Sequence, residues 1–588
     1  MKVRKLHIEH FRGINACDWH LPSDLVCLVG PGDSTKTTLL DAMGLVLSRS
    51  YRPQFSDADF YNCDTSQSIV IEAVVTHLPD GLVEERAFGK ERSGLLADGT
   101  LVHDPVTNAD ECLIVRLTVD ASLEPIWQVV RPGESEGRPI SAAQRAQLGF
   151  FRVGEYVDLH LRWGRASALT ALTESRSSAS SAILDAHRET RRAVFAAPPA
   201  ELQAAADVVK ARAHALGSAR YSNLRPGLDP IDGFTTHSLV LHDHEIPLTN
   251  HGLGTRRLTS LSIQDEGVTG GSIIAIDEVE HGLEPHRLAH VLRYLKVRAA
   301  DAQLQVFMTT HSPVVVTSLA AADLGVVRSI DGETVVLSVP NDVDDVQGTI
   351  RQAPAALLSR CVMVGEGATE VGLIRGLCDH WDANVLPPEP TSVTIGWSVT
   401  DGGGGAAAVR RAQDLVALGY PVTVLLDNDD RNVDEAVACA EGVGVTVSRW
   451  SVGSALEDEI ARNVSLEGLQ ACVDAAIEER GEESVRMSVQ RHVDHGTDLK
   501  GTKVEDWLHV CDDETSLRSA IAAAAKGQRN DDDKDHGRAW FKRQTGGAKL
   551  AVIVMREWSV IKDTSLGEGL SHLKAAIYGL EANASGDA

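Results

Sequence analysis

Two stretches of the chain predict the fold and chemistry of its C-terminal half: CVMVGEGATE, Cys361–Glu370, and LLDNDD, Leu425–Asp430. In the first, a short apolar strand leads to Glu366 on a Gly-flanked turn. In the second, an apolar strand leads to Asp427 and Asp429. We therefore expect three carboxylates to meet at strand ends. Mg²⁺ and Mn²⁺ prefer such hard oxygen ligands, and these ions stabilise charge on a phosphodiester under attack. The pattern predicts a protein that acts on phosphodiesters.

Further carboxylates extend this predicted metal site. Glu370 follows Glu366 by four residues at a helix start, so both side chains face the same side. Opposite Asp427 and Asp429, they could hold two ions about 4 Å apart, the separation used in two-metal phosphodiester cleavage. Glu457, in SALEDEI, follows another apolar strand. An acidic first helical turn, favoured by the helix dipole, is an alternative explanation of Glu457.

A second motif lies near the N-terminus, where LVCLVGPGDSTKTTLL, residues 25–40, predicts a strand, a turn and a helix start. In a P-loop, backbone N–H groups hold phosphates, the Lys neutralises them and a hydroxyl ligates Mg²⁺. The pattern requires Gly before the Lys, yet this chain has Thr35, which predicts altered nucleotide affinity and slow turnover. An ordinary strand-to-helix turn is the alternative. The predicted ATP-binding residues of this loop are Gly30, Gly32, Ser34, Thr35, Lys36, Thr37 and Thr38.

Two later segments fit the same kind of site. The apolar strand Ser272–Ile276 ends in Asp277 and Glu278, an arrangement in which one carboxylate supports Mg²⁺ and the next orients the attacking water. His311, in FMTTHSP, follows the next apolar strand, at the place of a histidine near the γ-phosphate. A packed or capping histidine and a solvated strand end are the alternatives for these residues.

The segment NHGLGTRRL contains Gly252 and Gly254, which open a predicted helix. A Gly-rich helix start can bind an anion. These glycines are therefore predicted to complete the ATP site of a partner subunit.

Composition limits the classes of protein. The 588 residues, 43% of them hydrophobic, predict about three to five domains with real cores. The net charge of −27 argues against indiscriminate nucleic-acid binding, so any DNA contact must be local. The nine cysteines include no CxxC pair. The start of the chain has no apolar export region and no run of 18 apolar residues follows, which predicts a cytoplasmic protein without membrane contact.

The order of the patterns predicts a multidomain α/β fold. Short apolar strands dominate the first lobe, an Ala- and Arg-rich helical stretch interrupts the chain, and strands alternating with helices then return. A second α/β unit and a polar helical region follow. The predicted bounds are residues 1–165, 166–225, 226–345, 356–460 and 461–588.

These motifs carry a family resemblance. FRG at Phe11–Gly13, the loop around Lys36, GLGTRRL, IIAIDEVEHGLEP and TTHSP resemble the ATPase head of the ABC class shared by RecF, SMC proteins and the OLD (overcoming lysogenization defect) nucleases. Such a head followed by VGEGATE and LLDNDD is similar to the OLD family, which joins the head to a Toprim domain. The resemblance is most specific over residues 1–60, 245–315 and 358–460.

The resemblance implies a role for each part of the chain. Residues 1–165 and 226–345 would be the two lobes of an ABC/SMC-like P-loop ATPase head, and 166–225 an inserted helical dimerisation hairpin. Residues 356–460 would be a Rossmann-like Toprim nuclease domain, and 461–588 a helical region that completes the nuclease site. The implied cofactors are ATP and Mg²⁺ or Mn²⁺. The implied partners are DNA and further copies of the chain, with a UvrD-like helicase and a Gabija-like role in phage defence left open.

The resemblance also assigns site residues. Glu457 would be the extra ligand of the second metal, and Lys542, in AWFKRQTGGAKL, matches a lysine that assists cleavage in Gabija-like OLD nucleases. A lysine of this kind is otherwise a solvated surface charge. The predicted catalytic residues are Glu278, His311, Glu366 and Lys542, and the predicted metal ligands are Glu366, Glu370, Asp427, Asp429 and Glu457.

Several functions remain open at the level of sequence. The first is an ATP-regulated, metal-dependent DNA endonuclease of the OLD family. The second is a RecF/SMC-like DNA-repair ATPase whose Toprim domain is not catalytic. A topoisomerase would need a tyrosine nucleophile, and none of the seven tyrosines lies in a recognisable module for it. A primase would be identified by nucleotide incorporation. The DNA substrate, the oligomer size and the direction of the ATP effect are not fixed by these patterns.

Overall fold

The computed structural model describes residues 1–21, 23–47, 53–153, 241–243, 246–266, 272–301, 304–339, 344–386, 388–493, 498–511, 513–527 and 539–579, with isolated residues between 158 and 207. The chain forms two compact units. The first comprises Met1–Val26, Thr37–Thr310 and Asp331–Glu333, and the second comprises Cys27–Lys36, His311–Ile330 and Thr334–Ala588. The helical insertion predicted for 166–225 lies for most of its length outside the described residues.

The first unit begins with an antiparallel sheet. Its first strand, Lys2–Phe11, pairs with Ile14–His20 on one side and with Ile69–Thr76 on the other. Alternate side chains such as Leu6 and Ile8 are fully buried, as expected for strands with one face on a core. The sheet continues through Asp110–Val119, Pro125–Val130 and Ser93–Leu95, with short strands at Leu101–Val102 and Arg138–Pro139.

Three parallel strands of the first unit position Asp277 and Glu278, which follow Ile276. Phe150–Val153 pairs with Ser272–Ile276, which pairs with Leu304–Thr309. The side chains of Ile273, Ile274 and Phe307 are fully buried, as in parallel strands covered on both faces. The helices of this unit are Asp80–Val83, Ala142–Ala146, Leu253–Glu266 and Pro285–Ala300, and short strands lie at His242–Asp243 and Ile246–Pro247.

In the second unit, the strand that leads into the Lys36 loop pairs in parallel with Leu324–Ile330, with Cys27 opposite Leu324. A tight turn at Asp331 and Gly332, with φ of 50° and 81°, then reverses the chain into Glu333–Ser338. Two positive φ angles are typical of a type I′ hairpin turn, which the Asp-Gly pair predicts. The strand Leu25–Val29 is followed by the helix Lys36–Val46, which belongs to the first unit from Thr37 onward. The second unit also contains the helices Pro313–Ser318 and Asp344–Gln352.

A four-stranded parallel sheet forms the middle of the second unit. Its strand order is Trp397–Asp401, Cys361–Gly365, Val422–Leu426, Thr446–Arg449. Chain order therefore reverses between the two central strands. In open α/β sheets a ligand site lies at such a switch point, outside the carboxyl ends of the strands. Glu366 and Asp427 each follow one of these two strands directly.

Helices surround this sheet and fill the rest of the unit, so the predicted α/β fold with a helical C-terminal region is confirmed. The predicted boundary at 460 and 461 falls inside the helix Leu456–Asn463. Residues on both sides of it, from Met363 to Ile577, share one hydrophobic core. The helices are Ala368–Asp382, Ser392–Ile395, Gly405–Ala417, Asp434–Gly442, Leu456–Asn463, Leu466–Arg480, Glu482–Gln490, Val504–Leu508, Glu514–Lys526, Gln544–Arg556, Trp558–Ile561 and Ser565–Tyr578.

Two of these helices, Ala368–Asp382 and Gln544–Arg556, approach each other through glycines. A Cβ on Gly372 would lie closer than 3.0 Å to the backbone of Gln544, and one on Gly547 would clash in the same way with the carbonyl of Thr369. Only residues without a side chain allow backbones to come this close. The contact fixes the segment before Gln544 against the start of the first helix.

No helix in the described part of the chain has both the length and the apolar character needed to cross a bilayer.

Candidate functional site

Four carboxylates converge at the switch point of the four-stranded sheet. The Asp427 N–H donates to Glu366 Oε2 (2.8 Å), the Gly367 N–H donates to Glu370 Oε2 (2.8 Å), and the Leu456 N–H donates to Asp427 Oδ1 (3.0 Å). The backbone thus ties one oxygen of each of these three carboxylates to the ends of different elements. We call this group the acidic cluster; its members are Glu366, Glu370, Asp427 and Glu457.

The acidic cluster holds negative charges out of water. Glu370 is 7% exposed and Glu457 is 8% exposed. Burial, and then the charges of Glu457 and Glu366, raise the pKa of Glu370 to about 7. Burial also raises the pKa of Asp427 well above its usual value, and Glu370, Glu457 and Glu366 raise it further. Mutual repulsion of this kind favours a bound cation or bound protons.

The loop after Asp427 explains how a distant helix reaches the cluster. Asn428 donates its side-chain N–H to Trp450 O (2.9 Å) and its backbone N–H to Ser454 O (2.9 Å), and its own carbonyl accepts from Gly453 (2.8 Å). These bonds join the loop after the third strand to the turn after the fourth, so the helix Leu456–Asn463 starts beside Asp427. Sequence reasoning did not assign this bracing role to Asn428, although the Asn lies between the two predicted ligands.

The three consecutive acids at the start of that helix have three different environments. Burial raises the pKa of Glu457, whose charge in turn raises the pKa of both Glu370 and Asp427, so Glu457 belongs to the cluster. Asp458 accepts from the Ala455 N–H (2.9 Å) and pairs with Lys526 (2.7 Å). Glu459 is fully buried and accepts from Ser565 Oγ (2.7 Å). A purely dipole-favoured acidic turn would leave all three in solvent, which the structure does not show.

Lys542 is the lysine whose charge acts most directly on the cluster. Its neighbour Phe541 is buried, and the Phe541 carbonyl accepts from Thr369 Oγ1 (2.7 Å), at the start of the helix that carries Glu370. Burial raises the pKa of Glu457, and the charge of the exposed Lys542 side chain opposes this rise. Lys549, in the same sequence segment, instead pairs with Glu478 (2.9 Å). The geometry thus favours Lys542 over Lys549 as the lysine of this site.

A glycine loop borders the cluster and was not predicted as part of the site. The N–H of Gly402 donates to Gly365 O (2.7 Å), and the N–H of Gly404 donates to Glu366 O (2.8 Å). Gly403 and Gly404 have φ of 82° and 104°, which favour glycine. The available signal in the sequence was the run DGGGG directly after a strand end.

The donor set of the cluster fits a divalent cation by chemistry, because it offers desolvated carboxylate oxygens that repel one another. Among the described residues, no group of three or more His, Cys, Asp and Glu side chains is arranged so that it could hold a metal ion as it stands. Ion binding therefore requires these side chains to turn from their present positions. Asp429, partly exposed in the loop after Leu426, stays a predicted ligand.

The charge of Glu370 predicts a pH dependence of stability in metal-free protein. Its pKa is raised from 4.5 to about 7 in the fold. A raised carboxyl pKa means that folding stability is fully present below pH 4.5 and is lost as the pH rises through 7. At about 1.4 kcal/mol per pKa unit, the loss is on the order of 3 kcal/mol.

We expect chelator-treated wild type to lose this stability relative to Glu370→Gln between pH 4.5 and 7, measured by urea unfolding. The neutral amide keeps the shape of the side chain without the charge. Parallel stability curves for the two proteins would contradict the electrostatic description of the cluster.

The predicted phosphate loop lies in the second unit. Lys36 is 4% exposed, and its Nζ donates to Gly30 O (3.1 Å), Pro31 O (2.6 Å) and Ser34 Oγ (3.1 Å). Gly30 has φ of 144°, and a Cβ there would lie 2.7 Å from Val327 O. The loop therefore folds around the ammonium group as a P-loop does. Gly32 has open space beside it, and Thr38 lies in the helix that follows.

Thr35, which stands where the P-loop pattern has Gly, keeps the left-handed backbone of a glycine, with φ of 63°. A β-branched residue is strained in this conformation. Its hydroxyl lies 3.3 Å from Thr334 Oγ1. The departure from the pattern therefore changes the side-chain contacts of the loop and not its backbone.

In the first unit, Asp277 is the centre of a polar network. Thr37 Oγ1 donates to Asp277 Oδ1 (3.2 Å), and so does Thr309 Oγ1 (2.6 Å). Arg152 lies 3.5 Å from Asp277 Oδ2, a contact that sequence reasoning missed. The hydroxyl that follows Lys36 thus meets the predicted Mg²⁺-supporting carboxylate.

Glu278, a predicted catalytic residue, has a strained backbone. Its φ is 46°, its N–H donates to Thr309 Oγ1 (2.8 Å), and its half-exposed carboxylate lies 3.3 Å from His281 Nδ1. Such strain persists only where surrounding contacts enforce it. Arg257 contributes: it is 5% exposed and donates to Glu278 O (2.8 Å) and to the carbonyl of Asp277.

The segment around Gly252 begins a helix, Leu253–Glu266, as predicted. Gly254 packs closely against the carbonyl of Gly282 in the same chain, whereas Gly252 has open space beside it. Close packing therefore explains why position 254 is a glycine. The roles of Gly252 and Gly254 in the ATP site of a partner stay predictions, as does the role of His311, which is exposed two residues after Leu304–Thr309.

Residues 140–317 match a protein-family model described as "AAA domain, putative AbiEii toxin, Type IV TA system". The match includes Arg152, Asp277 and Thr309, but not Thr37, and ends before the acidic cluster. No curated protein matches the chain. Among solved structures, the SMC head domain from Thermotoga maritima aligns with 14% sequence identity and a TM-score of 0.28, over 58% of this chain and 100% of that chain. This likeness is too distant to carry an argument. The family match supports an AAA-type ATPase domain over residues 140–317.

Proposed function

We propose that the protein is an ATP-regulated, divalent-metal-dependent DNA endonuclease of the OLD type, with an ABC-class ATPase head joined to a Toprim nuclease domain. The observation that carries the proposal is the acidic cluster at the switch point of the parallel sheet, with Lys542 beside it. Structural carboxylates are rarely buried together without cations.

Each part of the site has a distinct task in this proposal. Glu366, Glu370, Asp427 and Glu457 would hold one or two divalent cations, and Asp429 adds an oxygen from the same loop. Bound cations supply an activated water and stabilise charge on the leaving oxygen of the phosphodiester. Lys542 offsets charge that develops on the phosphoryl oxygens, because its ammonium group is already close enough to act on Glu457.

In this proposal, the nucleotide site regulates DNA cleavage. Lys36 and the loop N–H groups would hold the phosphates of ATP, Thr37 and Asp277 would hold Mg²⁺, and Glu278 would orient water. The Gly252–Gly254 segment of a second copy would close the site, so nucleotide favours a homo-oligomer. DNA contacts are local, since the net charge of −27 repels a polyanion elsewhere.

The test is nicking of supercoiled plasmid by the purified full chain. We expect conversion to the relaxed form with Mn²⁺ or Mg²⁺, loss of this conversion in EDTA, and recovery when Mn²⁺ is restored, since hard cations in an oxygen site are exchangeable. A protein that hydrolyses ATP but leaves plasmid intact at millimolar Mn²⁺ would contradict the nuclease proposal. That outcome would favour the repair ATPase with a non-catalytic carboxylate centre.

A further inference from the structure

A continuous set of contacts in the second unit runs from the phosphate loop towards the acidic cluster. It begins at Thr35, the residue that departs from the P-loop pattern. Thr35 Oγ1 lies 3.3 Å from the hydroxyl of Thr334, which is 3% exposed, and that hydroxyl lies 3.0 Å from Ser329 Oγ. A glycine in place of Thr35 could not make this contact. The loop is thereby linked to the strand Leu324–Ile330.

A second contact joins the same loop to the same strand. Gly30 approaches the carbonyl of Val327 so closely that a Cβ would lie 2.7 Å from its oxygen. The strand residues before Val327 pair with the strand that leads into the loop, with Val326 opposite Val29. Packed backbones of this kind do not deform continuously, so a shift of the loop on phosphate binding displaces the strand as a unit.

The next residue of this strand, Arg328, contacts residues that lead into the four-stranded sheet of the acidic cluster. Its guanidinium carbon lies 4.8 Å from the centre of the Tyr420 ring, and its side-chain carbons pack at Gly419, whose φ is 79°. Nη1 of Arg328 is buried, and the described residues provide no hydrogen-bond acceptor for it. The aromatic ring therefore holds the guanidinium, by a cation–π contact that is strong where water is excluded.

Tyr420 fixes the start of both central strands of that sheet. It is 2% exposed, and its hydroxyl donates to Leu357 O (2.7 Å), just before the strand Cys361–Gly365. The strand Val422–Leu426 begins two residues after Tyr420. These strands end at Glu366 and Asp427, which are joined by a 2.8 Å hydrogen bond. A displacement of Tyr420 therefore acts on both strands that deliver the acidic cluster.

We propose that the contacts Thr35–Thr334–Ser329 and Arg328–Tyr420 transmit the nucleotide state of the phosphate loop to the acidic cluster, so that Thr35 senses the nucleotide and Arg328 is the positioning residue of the link. As a mechanism of regulating cleavage, this inference rests on the proposed function. The physical link between the two sites does not depend on the proposed function.

The test is hydrogen–deuterium exchange of the full chain, with and without a non-hydrolysable ATP analogue and Mg²⁺. In wild type, the bound analogue is expected to change exchange in Val422–Leu426 and in the following acidic loop by about fivefold or more, the lower end of usual coupling between sites. Arg328→Met keeps the length of the side chain without its charge, and Thr334→Val removes one hydroxyl at equal volume. Both variants should bind the analogue and lose most of this change.

Arg360→Met is the matched control, because Arg360 is an exposed arginine next to Cys361 that lies outside the link. It should respond as wild type does. The inference is overturned if wild type binds no analogue, if the analogue leaves these peptides unchanged, or if both variants respond as wild type. Plasmid nicking in the same proteins separates the two proposals: a nucleotide-dependent exchange change without any nicking would reject the nuclease and retain the link.

Discussion

Replacing Gly547 by alanine is expected to destabilise the second unit by about 3 kcal/mol or more, because the new methyl group would overlap the Thr369 carbonyl and neither helix backbone can move away alone. Gly372→Ala should act in the same way from the opposite helix. Urea unfolding followed by tryptophan fluorescence measures the effect, since Trp507 and Trp540 lie in this core. Plasmid nicking should also decrease at urea concentrations below the unfolding transition, because Lys542 loses its position.

Gly348→Ala is the control for this prediction. Gly348 lies inside the helix Asp344–Gln352, and no neighbouring atom lies within 4 Å of the position that a Cβ would take. Alanine should therefore leave stability unchanged or raise it by up to about 1 kcal/mol. Equal tolerance of alanine at Gly547 and Gly348 would show that the two helices are not packed backbone to backbone.

Replacing Asp427 by asparagine is expected to lower nicking by about 1000-fold, because a metal site contributes several kcal/mol and each 1.4 kcal/mol is a factor of ten. Glu366→Gln should have a similar effect. Asp427→Asn should at the same time raise the stability of metal-free protein at neutral pH, since burial and three neighbouring carboxylates raise the pKa of Asp427 and oppose its charge.

Glu435→Gln serves as the matched control, because Glu435 is an exposed acid on the helix that follows the same loop. It should leave both nicking and stability near wild type. A stabilised but fully active Asp427→Asn protein would separate the buried charge from catalysis and reject the proposed role of the cluster.

The sequence predicted the parts of the fold that depend on local pattern. The continuous apolar runs at Cys361–Gly365 and Val422–Leu426 predict buried parallel strands, and the structure has them. The Asp331-Gly332 pair predicts a hairpin turn through its tolerance of positive φ, and this too is confirmed. The carboxylates after these strands converge because parallel strands of one sheet share a carboxyl edge.

Long-range packing could not be predicted from such local patterns. Nothing near Gly547 indicates that its partner is Thr369, 178 positions earlier by residue number, and the nearby Thr369–Phe541 bond likewise spans 172 residues. The predicted boundary at 460 and 461 falls within one helix, because its charged surface positions gave no sign that the other face of the helix joins the core. Arg257 shows the same limit: its role on the backbone of Glu278 depends on a turn that only the fold creates.

The attachment of Phe541 to Thr369 also sets an order of events during synthesis. The two residues are separated by 172 positions, so at ribosomal rates of roughly 5–20 residues per second Lys542 emerges about 10–30 s after the first glutamates of the cluster. Under the proposed function, a nascent chain therefore lacks part of the nuclease site for that whole interval. Under the same proposal, a truncated or proteolysed product without the last helices of the chain would not cut DNA.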